Sequence, residues 1–253
     1  MSHPTPSIPW LEANTALPKA ATAQPQGTEL AGLVAAGNDL SAPRLQEAYG
    51  LGIFPWFSEG QPVLWWSPDP RMVLKPASFK LHRSLRKTLH AFLAAPDCEI
   101  RVDSAFELVM QRCANAPRGG KVGTWIVPNM IKAYVDLHQA GFAHSVETWV
   151  NGELVGGLYC VALGRAVFGE SMFALQTDAS KIALSALVAL TKAQGVPWID
   201  CQQNTRHLAS LGAQEIERTV FIKGISAAQA QSPLDWQLQP IHWQALLAPG
   251  HQA

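Results

Sequence analysis

The sequence lacks an excess of charge of either sign. Lysine and arginine together number 19 in a chain of 253 residues, and aspartate and glutamate also number 19. A balanced chain produces no global field that attracts a polyanion, so any nucleic acid would have to bind a local patch of basic side chains. The length is ample for a real core, in one large domain or two smaller ones.

Long apolar runs are also absent. No stretch approaches the roughly 18 consecutive apolar residues that a transmembrane helix needs, and residues 1–30 lack the basic start and apolar centre of a signal peptide. We therefore expect a cytoplasmic protein that makes no membrane contact. The four cysteines form no C-x-x-C pair and have no histidine at ligand spacing, so we expect reduced structural thiols, no metal and no cofactor.

The clearest pattern runs from Val146 to Gln202. Three short apolar runs are separated by two-residue turns, and Asn151-Gly152 is the turn most typical of a type I′ hairpin. Residues 179–194 then have apolar side chains at helical spacing, with Asp178 as the expected N-cap and Gly195 after the end. A buried strand over 198–202 follows, so the pattern predicts an antiparallel meander, a crossover helix and a further strand.

Polar side chains near the ends of these strands are the candidate catalytic groups. Glu170 ends the third run of the meander, and Asp200 and Gln202 lie on the strand after the helix. In a flat strand, Asp200 and Gln202 share one face while Cys201 lies on the other. A carboxylate in so apolar a setting is costly unless a partner pairs with it, which points to a site. Cys201 is a possible nucleophile, although its position in the alternation favours a buried thiol.

A basic helix is predicted from Leu81 onward. Six lysines or arginines and no acid lie between Arg71 and Pro96, and Arg83, Arg86 and Lys87 fall on one face of that helix. A row of charged side chains on a helix is usually only a surface exposed to solvent. Such a surface normally carries both acidic and basic residues, so the absence of acids here favours a binding role. If the chain binds a phosphate backbone, this face is where it would dock.

A loop rich in proline and tryptophan precedes this helix. It carries Trp56, Trp65 and Trp66 on backbone that proline keeps extended or turned. Packing between two lobes is the more common role for such an indole, and a binding surface is the alternative. We predict a small N-terminal domain over residues 1–76 with a poorly ordered lead-in, and a second domain over 77–253. A last strand is predicted at E-R-T-V-F-I, followed by a poorly structured C-terminal tail that Trp236 and Trp243 could anchor.

The predicted order of meander, helix and strand matches the acetyltransferase-like (GNAT) fold. Several strings resemble, more specifically, the bacterial leucyl/phenylalanyl-tRNA-protein transferase family. They follow the family's order: G-I-F-P-W-F, W-W-S-P-D-P-R, G-T-W-I, A-H-S-V-E-T-W, G-E-S-M-F, D-A-S-K, I-D-C-Q and H-L-A-S-L-G-A. One such string would be weak evidence, but eight in order over residues 32–221 are strong.

The resemblance implies an α+β fold, with a small N-terminal domain before a GNAT-like domain whose sheet is mostly antiparallel. It also implies transfer of Leu or Phe, and less readily Met, from aminoacyl-tRNA to proteins with an N-terminal Arg or Lys, which marks them for the N-degron pathway. We expect a monomer with these two partners.

The resemblance further assigns roles to residues. It makes Glu170, Asp200 and Gln202 the catalytic polar groups and places the terminal adenosine of the tRNA against two indoles, Trp56 and Trp125. Arg83, Arg86 and Lys87 correspond to the family's basic cluster near the acceptor stem. Our candidates for an apolar pocket that holds the donor side chain are Leu158, Val167, Phe168, Met172 and Ile199.

Two departures from the family pattern, Cys160 and Ala174, leave the detailed shape of this pocket open. A coenzyme-A-dependent acetyltransferase is a second hypothesis, but the turn before the helix has no glycine for a pyrophosphate. An RNA-binding module without catalysis is a third, and it leaves Glu170, Asp200 and Gln202 unexplained.

Overall fold

Two β-sheets organise the chain. The computed structural model describes residues 8–116 and 126–247. The strands are β1 (Trp10–Leu11), β2 (Leu33–Gly37), β3 (Phe54–Pro55), β4 (Val63–Trp66), β5 (Arg71–Leu74), β6 (Cys98–Val102), β7 (Ala143–Val150), β8 (Glu153–Leu163), β9 (Ala166–Ala174), β10 (Ile199–Gln202) and β11 (Gln214–Ile216).

The helices connect and cover these strands. They are α1 (Ala42–Gly50), α2 (Arg83–Ala94), α3 (Phe106–Ala114), α4 (Pro128–Gln139), α5 (Ala179–Ala193), α6 (Arg206–Ser210), α7 (Arg218–Gln229) and α8 (Pro240–Leu247). Each helix within residues 8–116 and 126–247 is too short or too polar to cross a lipid bilayer.

The larger sheet contains the predicted meander. Its seven strands lie in the order β11-β5-β10-β9-β8-β7-β6, and only the β9–β10 pair is parallel. Asn151 and Gly152 join β7 to β8 with φ values of 53° and 75°, as a type I′ turn requires. Helix α5 is the crossover from β9 to the parallel strand β10. The predicted α+β fold with a mostly antiparallel sheet is therefore confirmed.

Both faces of the seven-stranded sheet are covered by helices. On one face, α1, α3, α4 and α7 bury a core that includes Tyr49, Tyr134 and Phe168. On the other face, α2, α5 and α8 bury a second core around Leu89, Leu187 and Trp243. Because α5 is apolar almost all round, it is buried between the sheet and the outer helices.

The N-terminal sheet has the order β1-β2-β4-β3 and ends at Trp66. Strand β5 already belongs to the larger sheet, so the change from one sheet to the other falls at residues 67–70. The boundary that we predict at residue 76 lies beyond this strand.

The two chain ends differ from the sequence prediction. Residues 8–28 do not form a loose lead-in, because β1 pairs with β2 and Leu11, Leu17 and Ala20 are buried. At the other end, α8 buries Trp243 and Leu246 against the second core. A proline- and glutamine-rich composition indicated disorder at both ends, but a few well-spaced apolar side chains are enough to attach each segment to a neighbouring surface.

The segment E-R-T-V-F-I is helical and not the predicted strand. It forms the start of α7, which buries Phe221, Ile225 and Ala228 at helical spacing. The last strand is the preceding β11, at the sheet edge beside β5. Thr, Val, Phe and Ile favour strands locally, but the packing of one helical face on the core outweighs that preference.

Helix α5 begins where the sequence predicts, but its first contact differs. Asp178 has a left-handed backbone with φ 63°, and its side chain makes no N-cap hydrogen bond. It accepts a hydrogen bond from Lys181 Nζ instead, at 2.7 Å. A neighbouring cation therefore replaces the backbone amide as the partner of this carboxylate.

Candidate active site

Glu170 lies at an irregularity in the centre of the larger sheet. Tyr159 of β8 pairs with Ser171 and the next residue, Cys160, pairs with Gly169, so Glu170 is an extra residue in β9. This is a β-bulge, which locally redirects side chains and is common beside active sites. Phe168 and Phe173 thereby face the same core although they are five residues apart.

A second bulge lies on the adjacent strand β10. Asp200 pairs with Val73 and Gln202 pairs with Met72, which leaves Cys201 as the extra residue. Gln202 has a left-handed backbone with φ 61°, a conformation that costs a non-glycine residue about 1 to 2 kcal/mol. Its backbone N–H donates to Asp200 Oδ1 at 2.8 Å, which offsets part of that cost.

The two bulges bring the three predicted polar residues together. Gln202 Nε2 donates to Glu170 Oε1 at 2.9 Å, across the parallel β9–β10 pair. Asp200 is 1% exposed and lies close enough to Glu170 for its charge to act on that carboxylate. The strand is not flat as the alternation argument assumed, but the extra residue in each strand still places Glu170, Asp200 and Gln202 in one network.

Arg71 on β5 is a member of this network that the sequence argument missed. It is completely buried and binds Asp200 with two hydrogen bonds, Nε to Oδ1 at 2.8 Å and Nη2 to Oδ2 at 2.6 Å. A signal was present, because Arg71 opens the otherwise apolar strand R-M-V-L, and a buried arginine needs an acidic partner.

Two tyrosines complete the network on the side of the first core. The hydroxyl groups of Tyr49 and Tyr134 share a short hydrogen bond, and Tyr134 donates to Glu170 Oε2 at 3.4 Å. Burial, with the charge of Glu170 as the next cause, raises the pKa of both tyrosines well above the usual value. Both hydroxyls therefore stay protonated at neutral pH and act as hydrogen-bond donors.

The carboxyl group of Glu170 has a pKa that is raised into the neutral range. Burial raises its pKa from 4.5 to about 7, and the nearby charge of Asp200 also raises it. Hydrogen bonding from the tyrosine pair and from Gln202 and the positive charge of Arg71 act in the opposite direction. A carboxyl group that titrates near neutral pH suits proton exchange with an amine.

A cavity of about 280 Å³ opens beside this network on the α5 side of the sheet. Its surface is mostly apolar, and residues of β9, β10 and α6 also contribute polar groups. The lining residues are Leu158, Tyr159, Gly169, Glu170, Ser171, Met172, Leu184, Leu187, Ile199, Asp200, Cys201, Thr205, His207 and Leu208. The site therefore combines an apolar hollow with a hydrogen-bonded acid and amide.

The structure places the five predicted pocket residues in two groups. Leu158, Met172 and Ile199 line the cavity. Val167 is buried in the second core, and Phe168 packs against Tyr49 in the first core with ring centroids 5.0 Å apart. Leu184 and Leu187 of α5 also line the cavity, and the sequence argument did not select them because α5 is apolar on nearly every face.

Cys201 lines the same cavity but is not set up as a nucleophile. Burial raises the pKa of its thiol far above the usual value, and the charge of Asp200 raises it further. Its Sγ donates to the carbonyl of Ile199 at 3.6 Å. A thiol is nucleophilic only as the thiolate, so this side chain stays inert at neutral pH.

Trp56 and two of the three predicted basic side chains of α2 lie at the surface. Trp56 is 41% exposed and packs edge-to-face against Trp66 with centroids 5.8 Å apart. Trp125 lies outside the described residues. On α2, Arg83 and Lys87 are exposed, whereas Arg86 is half-buried and donates from Nη1 to the carbonyl of Leu247 at 2.9 Å. One of the three predicted basic groups thus contacts the end of α8.

Comparison with known proteins matches both parts of the chain to one family. Residues 73–226 match the leucyl/phenylalanyl-tRNA protein transferase family, and residues 38–69 match the N-terminal domain of the same family. The leucyl/phenylalanyl-tRNA–protein transferase of Polaromonas sp. (strain JS666) is 60% identical over 95% of this chain and 94% of its own length.

The chain belongs to the leucyl/phenylalanyl-tRNA protein transferase family. The protein of that name from Albidiferax ferrireducens is 56% identical, with 98% of each chain covered. Among solved structures, L-PGS from Bacillus licheniformis aligns over 78% of this chain and 72% of its own, with 11% identity and a TM-score of 0.39. The resemblance inferred from the eight strings is therefore confirmed by the matches in sequence.

Proposed function

We propose that this chain transfers a leucyl or phenylalanyl group, and less readily a methionyl group, from aminoacyl-tRNA to the N-terminal arginine or lysine of an acceptor protein. Membership of the family supports this, and so do the names of its relatives. The observation that carries the proposal in the structure is the hydrogen bond from Gln202 to Glu170, a carboxylate that lines an apolar cavity of about 280 Å³.

The chemistry requires little from the protein beyond placement. The neutral nitrogen of the acceptor's α-amino group attacks the ester carbonyl, a C–N bond forms, and the ester C–O bond breaks. The α-amine has a pKa near 8, so a useful fraction is neutral in the cell. The leaving 3′ oxygen takes up a proton as the uncharged tRNA departs, and the activated ester supplies the free energy.

Gln202 and Glu170 divide two tasks in this mechanism. Because Gln202 Nε2 donates to Glu170, its carbonyl oxygen is left to accept a hydrogen bond from the incoming amine and to align it with the ester. Glu170, with its pKa near 7, accepts the proton that the attacking amine loses. Positioning provides most of the rate enhancement, since two bound reactants meet at a fixed geometry.

The aliphatic wall of the cavity holds the donor side chain. Leu158, Met172 and Ile199 from the sheet face Leu184 and Leu187 from α5 across a space of about 280 Å³. An apolar pocket separates side chains that differ by one methylene by only about 1 to 3 kcal/mol. Such a wall favours large apolar side chains and separates leucine, phenylalanine and methionine only weakly.

The tRNA would be held at the protein surface. Exposed Arg83 and Lys87 on α2 would bind the phosphates of the acceptor stem, and Trp56 with Trp125 would stack on the terminal adenosine. A base-stacking contact of this kind contributes about 1 to 3 kcal/mol. In our proposal the protein acts as a monomer in the cytoplasm.

A transfer assay tests the function directly. Purified protein is incubated with [14C]Leu-tRNA and a peptide that starts with arginine, and no other cofactor is added. We expect labelled peptide, and no label on a matched peptide whose N-terminus is acetylated. The absence of transfer by the wild-type protein would refute the proposed function.

The same assay tests the site. Gln202→Ala and Glu170→Ala should lose about 100-fold or more in rate, as expected for groups that position or deprotonate the nucleophile, and should still bind Leu-tRNA. Gln203→Ala is the matched control because Gln203 is the exposed neighbour of Gln202. Wild-type rates in both site variants would remove these residues from the chemistry.

Two further experiments distinguish the proposed function from the two alternative functions. A coenzyme-A-dependent acetyltransferase would modify the peptide with acetyl-CoA in the absence of tRNA. An RNA-binding module would retain Leu-tRNA on a filter but would never form labelled peptide.

A further inference from the structure

We infer that Arg71 is the residue that positions Gln202, and that it acts through Asp200 as a fixed ion pair. Asp200 in this arrangement anchors the strand. The inference rests on the proposed function, because it assigns a role in the same transfer reaction.

The pair is buried more completely than any ordinary surface salt bridge. Arg71 is 0% exposed and Asp200 is 1% exposed, and two parallel hydrogen bonds of 2.8 and 2.6 Å join them. A bidentate contact of this kind fixes the orientation of both side chains as well as neutralising them. Removal of either partner alone would leave an uncompensated charge in the core.

Arg71 is itself held from three directions. Its Nη1 donates to the carbonyl of Gly52 at 3.1 Å. The rings of Phe54 and Phe221 lie against the guanidinium, with their centroids 4.8 and 4.4 Å from Cζ. Gly52 and Phe54 come from the N-terminal region and Phe221 from α7, so Arg71 connects both to the catalytic strand β10.

The connection to the reaction passes through the backbone of Gln202. Asp200 Oδ1 accepts from Arg71 Nε and also from the backbone N–H of Gln202, at 2.8 Å in each case. This second bond holds Gln202 in its left-handed conformation beside the extra residue Cys201. The side chain of Gln202 is then directed at Glu170 Oε1, at 2.9 Å.

The same contacts argue against Asp200 as a base. Its two oxygens together accept three hydrogen bonds, two of them from a guanidinium. All three donors belong to the protein, so the carboxylate is held in place as an anchor. Glu170 lacks an arginine partner within the described residues and has the raised pKa. We therefore assign the proton to Glu170 and the anchoring of Gln202 to Asp200.

The test replaces the planar guanidinium group of Arg71 by an ammonium group. This keeps the positive charge but cannot form the same two parallel hydrogen bonds with Asp200. Arg71→Lys should lower kcat about 100-fold, the loss expected when a reacting group is misplaced by about 1 Å, with no change in KM for Leu-tRNA. The loss should be the same at every pH between 6 and 9, because the titrating group Glu170 is unaltered. Wild-type kcat, or a loss confined to one end of this pH range, would overturn the inference.

Arg44→Lys is the matched control. Arg44 is 5% exposed and also binds two carboxylates and two backbone carbonyls, of Asp39, Glu47, Glu12 and Ala13, but it lies away from β10 in α1. Its conservative replacement should leave kcat unchanged. An equal loss in both variants would show that any buried arginine is merely structural, and it would also overturn the inference.

A double variant covers the case in which Arg71→Lys fails to fold. Arg71→Met with Asp200→Leu replaces the whole pair by apolar side chains, a change that folded proteins commonly tolerate. We expect a folded protein that binds Leu-tRNA, with kcat lowered about 100-fold because the backbone of Gln202 has lost its anchor. Wild-type kcat in this variant would refute the positioning role. If the wild-type protein itself did not transfer leucine, the proposed function would be refuted. That result differs from wild-type kcat in the double variant, which refutes only the role of Arg71.

Discussion

At the scale of single residues, Glu170 is the group that we propose as the proton acceptor. Its carboxyl group has apolar surroundings on the cavity side, and burial raises its pKa to about 7. The hydrogen bonds from Gln202 and Tyr134 stabilise the charged form but do not outweigh desolvation. A group with this pKa gains and loses a proton within the range in which the enzyme works.

The raised pKa of Glu170 also predicts how stability depends on pH. The folded state binds the proton of Glu170 more tightly than the unfolded state does. The contribution of this proton to the unfolding free energy is therefore complete below pH 4.5 and is lost as pH rises through about 7. Glu170→Gln cannot titrate. The unfolding free energy of Glu170→Gln minus that of wild type should therefore be about 1 to 3 kcal/mol larger at pH 8 than at pH 5.

Urea unfolding of both proteins at the two pH values measures this difference. Glu153→Gln serves as the control because Glu153 is exposed at the start of β8. If the wild-type and Glu170→Gln curves stay parallel between pH 5 and pH 8, the carboxyl group does not have the raised pKa.

At the scale of secondary-structure elements, α5 forms one wall of the cavity that we propose as the donor pocket. Leu184 and Leu187 face the cavity of about 280 Å³ from this helix. Leu184→Phe should fill part of that space and reduce transfer of phenylalanine more than transfer of leucine. The ratio of the two kcat/KM values should change by about 10- to 200-fold, the range set by small differences in an apolar pocket.

The two donors act as mutual controls in that experiment. Leucine transfer by the same variant shows that the protein is folded and that tRNA binding is intact. An equal reduction for both donors would indicate that α5 does not select the side chain.

The position of α5 depends on one close approach to the sheet. A Cβ atom on Gly156 of β8 would lie 2.5 Å from Ala179 Cβ and 2.7 Å from Ala179 C, at the start of the helix. Gly156→Ala should therefore displace the helix and destabilise the protein by about 1 to 3 kcal/mol, as overpacking does. Thermal or urea denaturation measures the change.

Gly50→Ala is the comparison for this substitution. Gly50 is the last residue of α1, and a Cβ there would meet only the flexible end of Gln229, at 3.2 Å. We expect little change in stability at this position. Equal stability of the two variants would mean that the contact between β8 and α5 is looser than the structure indicates.

At the scale of the whole molecule, the C-terminal segment covers the second core. Trp243 is 9% exposed on α8, which packs on α5, and Arg86 and Lys192 donate to the carbonyls of Leu247 and Ala245. Trp243→Ala should lower the unfolding free energy by about 3 to 5 kcal/mol, the usual loss for a large buried side chain. The rate of transfer per folded molecule should stay at the wild-type value.

Ile241→Ala is the matched control on the same helix, because Ile241 is 58% exposed. It should have almost no effect on unfolding. If Trp243→Ala were as stable as wild type, the C-terminal segment would not be the packed element that the structure describes.

Much of the fold was predictable because its signals are local. The Asn151-Gly152 turn, the helical spacing of residues 179–194 and the order of meander, helix and strand all appear in the structure. The ends of the chain and the segment E-R-T-V-F-I were not predictable in this way. Their structure depends on contacts with surfaces that are distant in sequence.

The sequence by itself determined the family, the α+β fold and the identity of three polar residues on adjacent strands. Only the tertiary structure decided how those residues meet, because a bulge adds a residue to each strand and changes the direction of the side chains that follow. It also decided that Arg71, 129 positions away in the chain, is the partner of Asp200. A buried charge must find its counter-charge in space, and no local pattern records where that partner lies.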